Sequence, residues 1–191
     1  MIYKLLQNRV ERTYRGGGRI EKFTSEKLSD KVEGYYPEDW TASVTSAYKT
    51  GNIKANDGLG RTTDGRLVKD ITNNNLPILV KLLDSDERLV VQAHPTREFA
   101  NKFMNSSFGK TECWFFLDCT PDAYVYLGFK KGVTKEKFMR AFNENDSNAM
   151  LDMLHKIPVK KNDFIFVDGG VPHAIGGGCF IVELQEPSDL M

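Results

Sequence analysis

The chain has 191 residues, 26 of them basic and 26 acidic with the two signs interspersed, so its formal net charge is zero and it carries no field to hold a nucleic-acid backbone. Its length suits one domain, residues 1–191, with a sizeable core. No apolar run approaches the roughly 20 residues of a spanning helix and the opening stretch is too short for a signal peptide, which implies a cytoplasmic protein with no nucleic-acid or membrane partner.

Residues 1–75 read as a loop-rich part with short strands. From Tyr14 to Gly65 the chain is rich in Gly, Ser, Thr and Asp, and its apolar residues keep neither a helical nor a strand period for long. Gly16-Gly17-Gly18 lacks the lysine and the strand-to-helix context of a phosphate loop. Tyr35-Tyr36-Pro37-Glu38-Asp39-Trp40 gathers aromatics around a turn, and Thr41 to Tyr48 is expected as a short strand. Trp40 suits either core packing or the floor of a sugar pocket.

Residues 76–191 show a sharper pattern. Pro77–Leu83 and Arg88–Ala93 are expected as strands of a hairpin turning at Asp84-Ser85-Asp86-Glu87. A helix is expected over Thr96–Met104 with Phe99, Ala100 and Phe103 on one face. Further strands are expected over Cys113–Asp118, Ala123–Lys130, Phe164–Val167 and Cys179–Gln185. Two helices are predicted between them, one capped by Thr134 and running to about Phe142, the other from Asp146 or Ser147 to about Lys156 with His155 on its surface. Trp114, Phe115 and Phe116 read as core, while Glu183 and Gln185 share a strand face that meets either solvent or a lumen. Many short strands with glycine-rich corners indicate a mostly β, antiparallel sandwich or barrel with a helical insertion at 134–156.

The three cysteines lack metal-ligand spacing and read as reduced, mostly buried small hydrophobes. Metal-capable side chains lie elsewhere. Gln92 and His94 occur at i, i+2 in Leu-Val-Val-Gln-Ala-His-Pro, Glu112 in Gly-Lys-Thr-Glu-Cys-Trp, and His173 in Asp-Gly-Gly-Val-Pro-His-Ala. This oxygen and nitrogen donor set suits a divalent metal that keeps a position for water or substrate, since structural zinc sites are normally rich in thiolate.

Residues 162–173 resemble the second cupin motif, a turn, a short strand, a proline-and-glycine corner and then a histidine. The series Pro-Ile-Leu-Val-Lys-Leu-Leu-Asp, Val-Gln-Ala-His-Pro, Gly-Lys-Thr-Glu-Cys-Trp, Gly-Gly-Val-Pro-His-Ala-Ile-Gly and Val-Glu-Leu-Gln-Glu-Pro-Ser-Asp is similar to the type I mannose-6-phosphate isomerases. That resemblance implies a cupin-type antiparallel barrel, or jelly roll. It implies one zinc ion per chain on Gln92, His94, Glu112 and His173, and a sugar-phosphate substrate handled with Lys110. The implied reaction interconverts mannose 6-phosphate and fructose 6-phosphate through an enediol.

Two positions depart from the family pattern. Val90 stands where members often carry a hydroxyl residue, and family chains continue past Ser188-Asp189 into a part with an arginine near the site, whereas this sequence ends at Met191. The expectation is therefore a complete metal cage with the family's C-terminal part absent and weak turnover. Two rivals stand beside this reading. His94, Glu112 and His173 alone make the two-histidine, one-carboxylate set of an iron-dependent cupin oxygenase, against which Gln92 weighs. The other rival is a catalytically incomplete, metal-bound cupin that binds a sugar phosphate.

Overall fold

A computed structural model describes residues 2–25, 34–47 and 57–191. In chain order its elements are β1 (Arg9–Val10), α1 (Arg19–Thr24), β2 (Glu38–Thr41), α2 (Val68–Ile71), β3 (Leu79–Ser85), α3 (Arg97–Phe103), β4 (Glu112–Cys119), β5 (Tyr124–Phe129), α4 (Lys135–Asn143), α5 (Ser147–Asp152), β6 (Leu154–Pro158), β7 (Phe164–Val167), β8 (His173–Ile175) and β9 (Cys179–Gln185). The strands make a six-stranded sheet, β1-β2-β3-β9-β4-β7, and a three-stranded sheet, β6-β5-β8. All pairings are antiparallel. The fold is mostly β and of cupin type. Its two sheets enclose one shared core, and Gln92 adds an isolated bridge to His173 of β8.

Register decides what the sheets enclose. Across β2, β3, β9, β4 and β7, Trp40, Lys81, Glu183, Trp114 and Ile165 stand in one row and face inward. The next inward row is Glu38, Leu83, Ile181 and Phe116. One end of this inner face is therefore charged and the other apolar. Trp114, Phe116 and Ile181 are fully buried and pack with Val125 of β5 and Ile175 of β8. Burial on that scale dominates the folding free energy, at about 1.5–3 kcal/mol per large apolar side chain.

Several expectations need correcting. The strand placed at 41–48 lies earlier, at Glu38–Thr41, because the chain turns at Ala42 with φ 54°; residue 48 lies outside the described residues. The hairpin of 77–93 does not form. β3 pairs with β2 and β9, and 88–93 crosses to the other sheet, where Leu89 and Gln92 donate to Ile175 and His173 carbonyls at 2.9 Å each. The turn does not fold back because its buried side chains are held elsewhere. Asp84 accepts from the backbone N–H and Nε of Arg19, both at 2.7 Å, and Ser85 Oγ donates to the Gly176 carbonyl at 2.7 Å.

The insertion contains both expected helices, capped by Thr134 and Asp146, whose side chains accept from Lys137 and Ala149 N–H. The second helix stops at Asp152. Leu154–Pro158 becomes β6, the edge partner of β5, so His155 sits exposed on a strand opposite Leu127. In α3 only Ala100 is buried, while Phe99 and Phe103, one turn apart, are exposed and pack on each other at 4.8 Å between ring centroids. Phe115 alternates to the outer face and is half-buried, unlike Trp114 and Phe116. Of the cysteines, only Cys179 is buried; Cys113 and Cys119 are half-buried. Among the described residues no helix is long and apolar enough to cross a membrane.

Candidate metal centre

The His94-Pro95 bend is built by its neighbours. Gln92 and His173 exchange backbone hydrogen bonds at 2.9 and 2.8 Å, which sets the two segments side by side. Beyond the bridge, Gly170 N–H donates to the His94 carbonyl at 2.6 Å and Lys110 N–H to the Pro95 carbonyl at 3.0 Å. Glycine is required for this approach, since a Cβ on Gly109 would lie 2.6 Å, and one on Gly169 2.9 Å, from the Pro95 oxygen. The segment from Gln92 to His94 is thus a clamped bend rather than a regular strand.

Glu112 opens β4 and His173 opens β8, and both are buried, as is His94. Their donor atoms all lie within 4.8 Å of one another. His94 Nε2 is 3.1 Å from Glu112 Oε1, and His173 Nε2 is 3.8 Å from Glu112 Oε2. Yet His94 Nε2, Glu112 Oε1 and His173 Nε2 make no hydrogen bond of acceptable geometry. Buried polar atoms without partners are costly and rare, so their convergence calls for a cation.

The donors are also in the right ionisation state. Burial, with Lys110 acting in the same direction, lowers the His94 pKa to about 4, and burial lowers that of His173, so both rings are neutral at pH 7. His173 Nδ1 lies 2.9 Å from the Val171 carbonyl, a contact that places the ring proton there and leaves the Nε2 lone pair facing Glu112. Burial opposes ionisation of Glu112, but the positive charge of Lys110 is the first influence against it, and the carboxyl lies well below its usual range. Two neutral imidazoles and one carboxylate fit a divalent ion. Gln92 and Glu112 line one cavity.

That cavity has a volume of about 530 Å³ and reaches from the donors to the charged end of the six-stranded sheet. Lys110 lines it, nearly buried, with Nζ 3.5 Å from Glu112 Oε1. Val90, 60% exposed, also lines it. Glu183 faces the lumen, which settles the orientation that its strand pattern left open, and Gln185 is buried on the same side. Trp114 Nε1 is 3.2 Å from both Glu112 Oε2 and Glu183 Oε1, tying the donor cluster to the second carboxylate.

Sequence reasoning missed the residues that support Glu183. Lys81 and Arg12 line the cavity with Glu38, and the buried Trp40 packs beneath them as core, 4.8 Å from Lys81 Nζ and 5.0 Å from the Arg12 guanidinium. A signal for Lys81 was present: in Leu79-Val80-Lys81-Leu82-Leu83 it occupies the same face as two core leucines.

Residues 42–124 match the family described as phosphomannose isomerase type I, catalytic domain. The chain is 37% identical over 123 residues to mannose-6-phosphate isomerase ManA of Bacillus subtilis (strain 168), covering 64% of this chain and 38% of that protein. It is 35% identical over 159 residues to the probable mannose-6-phosphate isomerase GmuF of the same strain, covering 80% and 49%. Over these stretches the chain is similar to type I phosphomannose isomerases. The solved mannose 6-phosphate isomerase of B. subtilis superposes with a TM-score of 0.77 at 24% identity, over 98% of this chain and 59% of that one. A mannose 6-phosphate isomerase crystallised with zinc and yttrium superposes with a TM-score of 0.63 at 13% identity, over 98% and 68%. The chain spans about half the length, or less, of the two B. subtilis relatives it matches in sequence.

Proposed function

We propose that the chain carries the site of a zinc-dependent aldose–ketose isomerase that interconverts mannose 6-phosphate and fructose 6-phosphate. The observation that carries this reading is the convergence of buried donor atoms of His94, Glu112 and His173, with Glu112 and Lys110 lining one cavity, in a chain whose relatives are named mannose-6-phosphate isomerases. The zinc of a crystallised structural neighbour supports the choice of metal.

A divalent ion held by Gln92, His94, Glu112 and His173 would supply electrostatic stabilisation of negative charge developing on the sugar oxygens. The chain's own residues have separate tasks. Lys110 offers a compact cation for the phosphate dianion or for the proton that moves with it. Glu183, which faces the same cavity as Glu112 and shares the Trp114 Nε1 contact with it, would carry a proton between C1 and C2 through an enediol, and burial and then the Glu112 charge raise its pKa above the usual carboxylate range. Lys81, 3.1 Å from Glu183 Oε2, works against that rise and holds the group in place. The cavity volume of about 530 Å³ falls within the range of small-molecule sites.

The test is a coupled assay for fructose 6-phosphate after zinc loading, with mannose 6-phosphate as substrate and oxygen uptake followed in parallel. Isomerisation without oxygen uptake supports the reading. Oxygen uptake with bound iron would assign the oxygenase chemistry instead, and sugar-phosphate binding without turnover would leave a catalytically incomplete binding cupin.

A further inference from the structure

At the end of the β4–β9 ladder away from Glu112 and Gln185, the register sets Cys119 directly opposite Cys179. Thr120 N–H donates to the Gly178 carbonyl at 2.9 Å, one step beyond this pair. That bond makes Cys119 and Cys179 a non-hydrogen-bonded pair, the kind whose Cα atoms stand about 4.5 Å apart with close side chains. Such a spacing lies within the range that a disulfide spans. Both side chains pack on the core between the sheets, Cys179 fully buried and Cys119 half-buried. Cys113 differs, since its cross-strand partners are Leu184 and Phe166.

We propose that Cys119 and Cys179 are a modification site, forming a reversible intramolecular disulfide by exchange with a low-molecular-weight disulfide, RSSR. Cys119, which has solvent access, attacks one sulfur of RSSR as its thiolate and releases one RSH, leaving a mixed disulfide on Cys119. Cys179 then loses its proton and attacks Cys119 Sγ, breaking the mixed disulfide and releasing the second RSH. The two protein thiols lose two electrons and two protons, and one RSSR gains them to become two RSH. Burial raises the Cys119 thiol and pushes that of Cys179 up to about 12, so the exchange is slow in both directions. The bond closes a loop of about 60 residues, which stabilises the fold chiefly by restricting the unfolded chain.

The experiment holds the folded chain in excess hydroxyethyl disulfide at pH 8, blocks remaining thiols in denaturant and maps the peptides. The expected product is a Cys119–Cys179 linked peptide, in a chain two hydrogens lighter. Its Tm should rise by about 5–10 °C, and dithiothreitol should reverse the change. Cys113→Ser leaves both readouts in place, whereas Cys119→Ser abolishes both; Cys179→Ala gives the same loss through the other partner should Cys119→Ser fold poorly. Cys119 held only as the mixed disulfide with Cys179 still open to alkylation, a link through Cys113, or a linked chain with an unchanged or lower Tm would each overturn the proposal.

Discussion

Lys81 Nζ stands 3.1 Å from Glu183 Oε2, with both side chains almost wholly out of solvent. Burial works against the ammonium, but Glu183 and then Glu38 outweigh it and raise the Lys81 pKa above its ordinary value, so the residue stays charged. Lys81→Met leaves two buried carboxylates without that cation. We expect a loss of about 3 kcal/mol in urea unfolding, partly recovered in the double variant Lys81→Met/Glu183→Gln. A double variant whose loss equals the sum of the single losses would show the pair to be uncoupled.

A second prediction concerns acid. Glu38 accepts from Arg12 Nε at 2.9 Å, from Tyr14 Oη at 2.6 Å and from Trp40 Nε1 at 2.6 Å. Burial alone would raise its pKa, but Arg12, Lys81 and these hydrogen bonds reverse the effect and hold it well below the usual range. With the folded pKa depressed, the unfolded chain takes up the proton first as pH falls. Glu38 therefore contributes fully above the unfolded value of about 4.3, and its contribution drains away as pH falls from there through the folded value. Glu38→Gln should cost about 3 kcal/mol at pH 7, and the gap to the parent should narrow below about pH 4. Urea midpoints at pH 7, 5 and 3.5 measure this, and a gap that stays constant with pH would mean that Glu38 is not the ionised partner.

How much of this was legible depended on how local the cause was. The strands at Phe164–Val167 and Cys179–Gln185 and the caps at Thr134 and Asp146 follow from short-range pattern, and the structure has them there. The convergent histidines His94 and His173 were legible because the chain has only three histidines. The path of 88–93 was not legible, because Asp84 and Ser85 are pinned by Arg19 and Gly176, residues 65 and 91 positions away. β6 was misread for a similar reason, since pairing with β5 overrides the local helical tendency after Asp152. The Lys81–Glu183–Glu38 cluster depends on register across three strands, which no single segment contains.

A variant at Lys110 tests phosphate handling apart from metal holding. The Lys110 Nζ is 3.5 Å from Glu112 Oε1, near the donor cluster, and an ammonium cannot itself ligate a cation. Lys110→Ala should keep its metal, because the two imidazoles and the carboxylate remain. Affinity for mannose 6-phosphate, measured by calorimetry on the zinc-loaded chain, should fall by tenfold or more, in line with the about 1.5–3 kcal/mol of a hydrogen bond to a charged group. Lys110→Arg should recover part of the loss by restoring the charge. Unchanged affinity in Lys110→Ala would make it an ordinary loop lysine.

The candidate metal centre is tested at Glu112, whose carboxylate is the one anion among the three convergent donors. With both imidazoles neutral, removing it leaves a divalent ion without charge compensation in a buried site. Metal analysis after dialysis against zinc should give one ion per chain for the parent and close to none for Glu112→Ala. The same loss should appear in thermal shift. Zinc at 100 times its dissociation constant stabilises the parent by about 2.7 kcal/mol, and the variant should show little of this. Glu112→Gln keeps an oxygen donor without the charge and should fall between the two. Glu112→Ala should cost the metal-free fold less than the loaded one, because the loaded parent also loses the free energy of zinc binding. Unchanged zinc content in Glu112→Ala would remove His94, Glu112 and His173 from consideration as a metal centre.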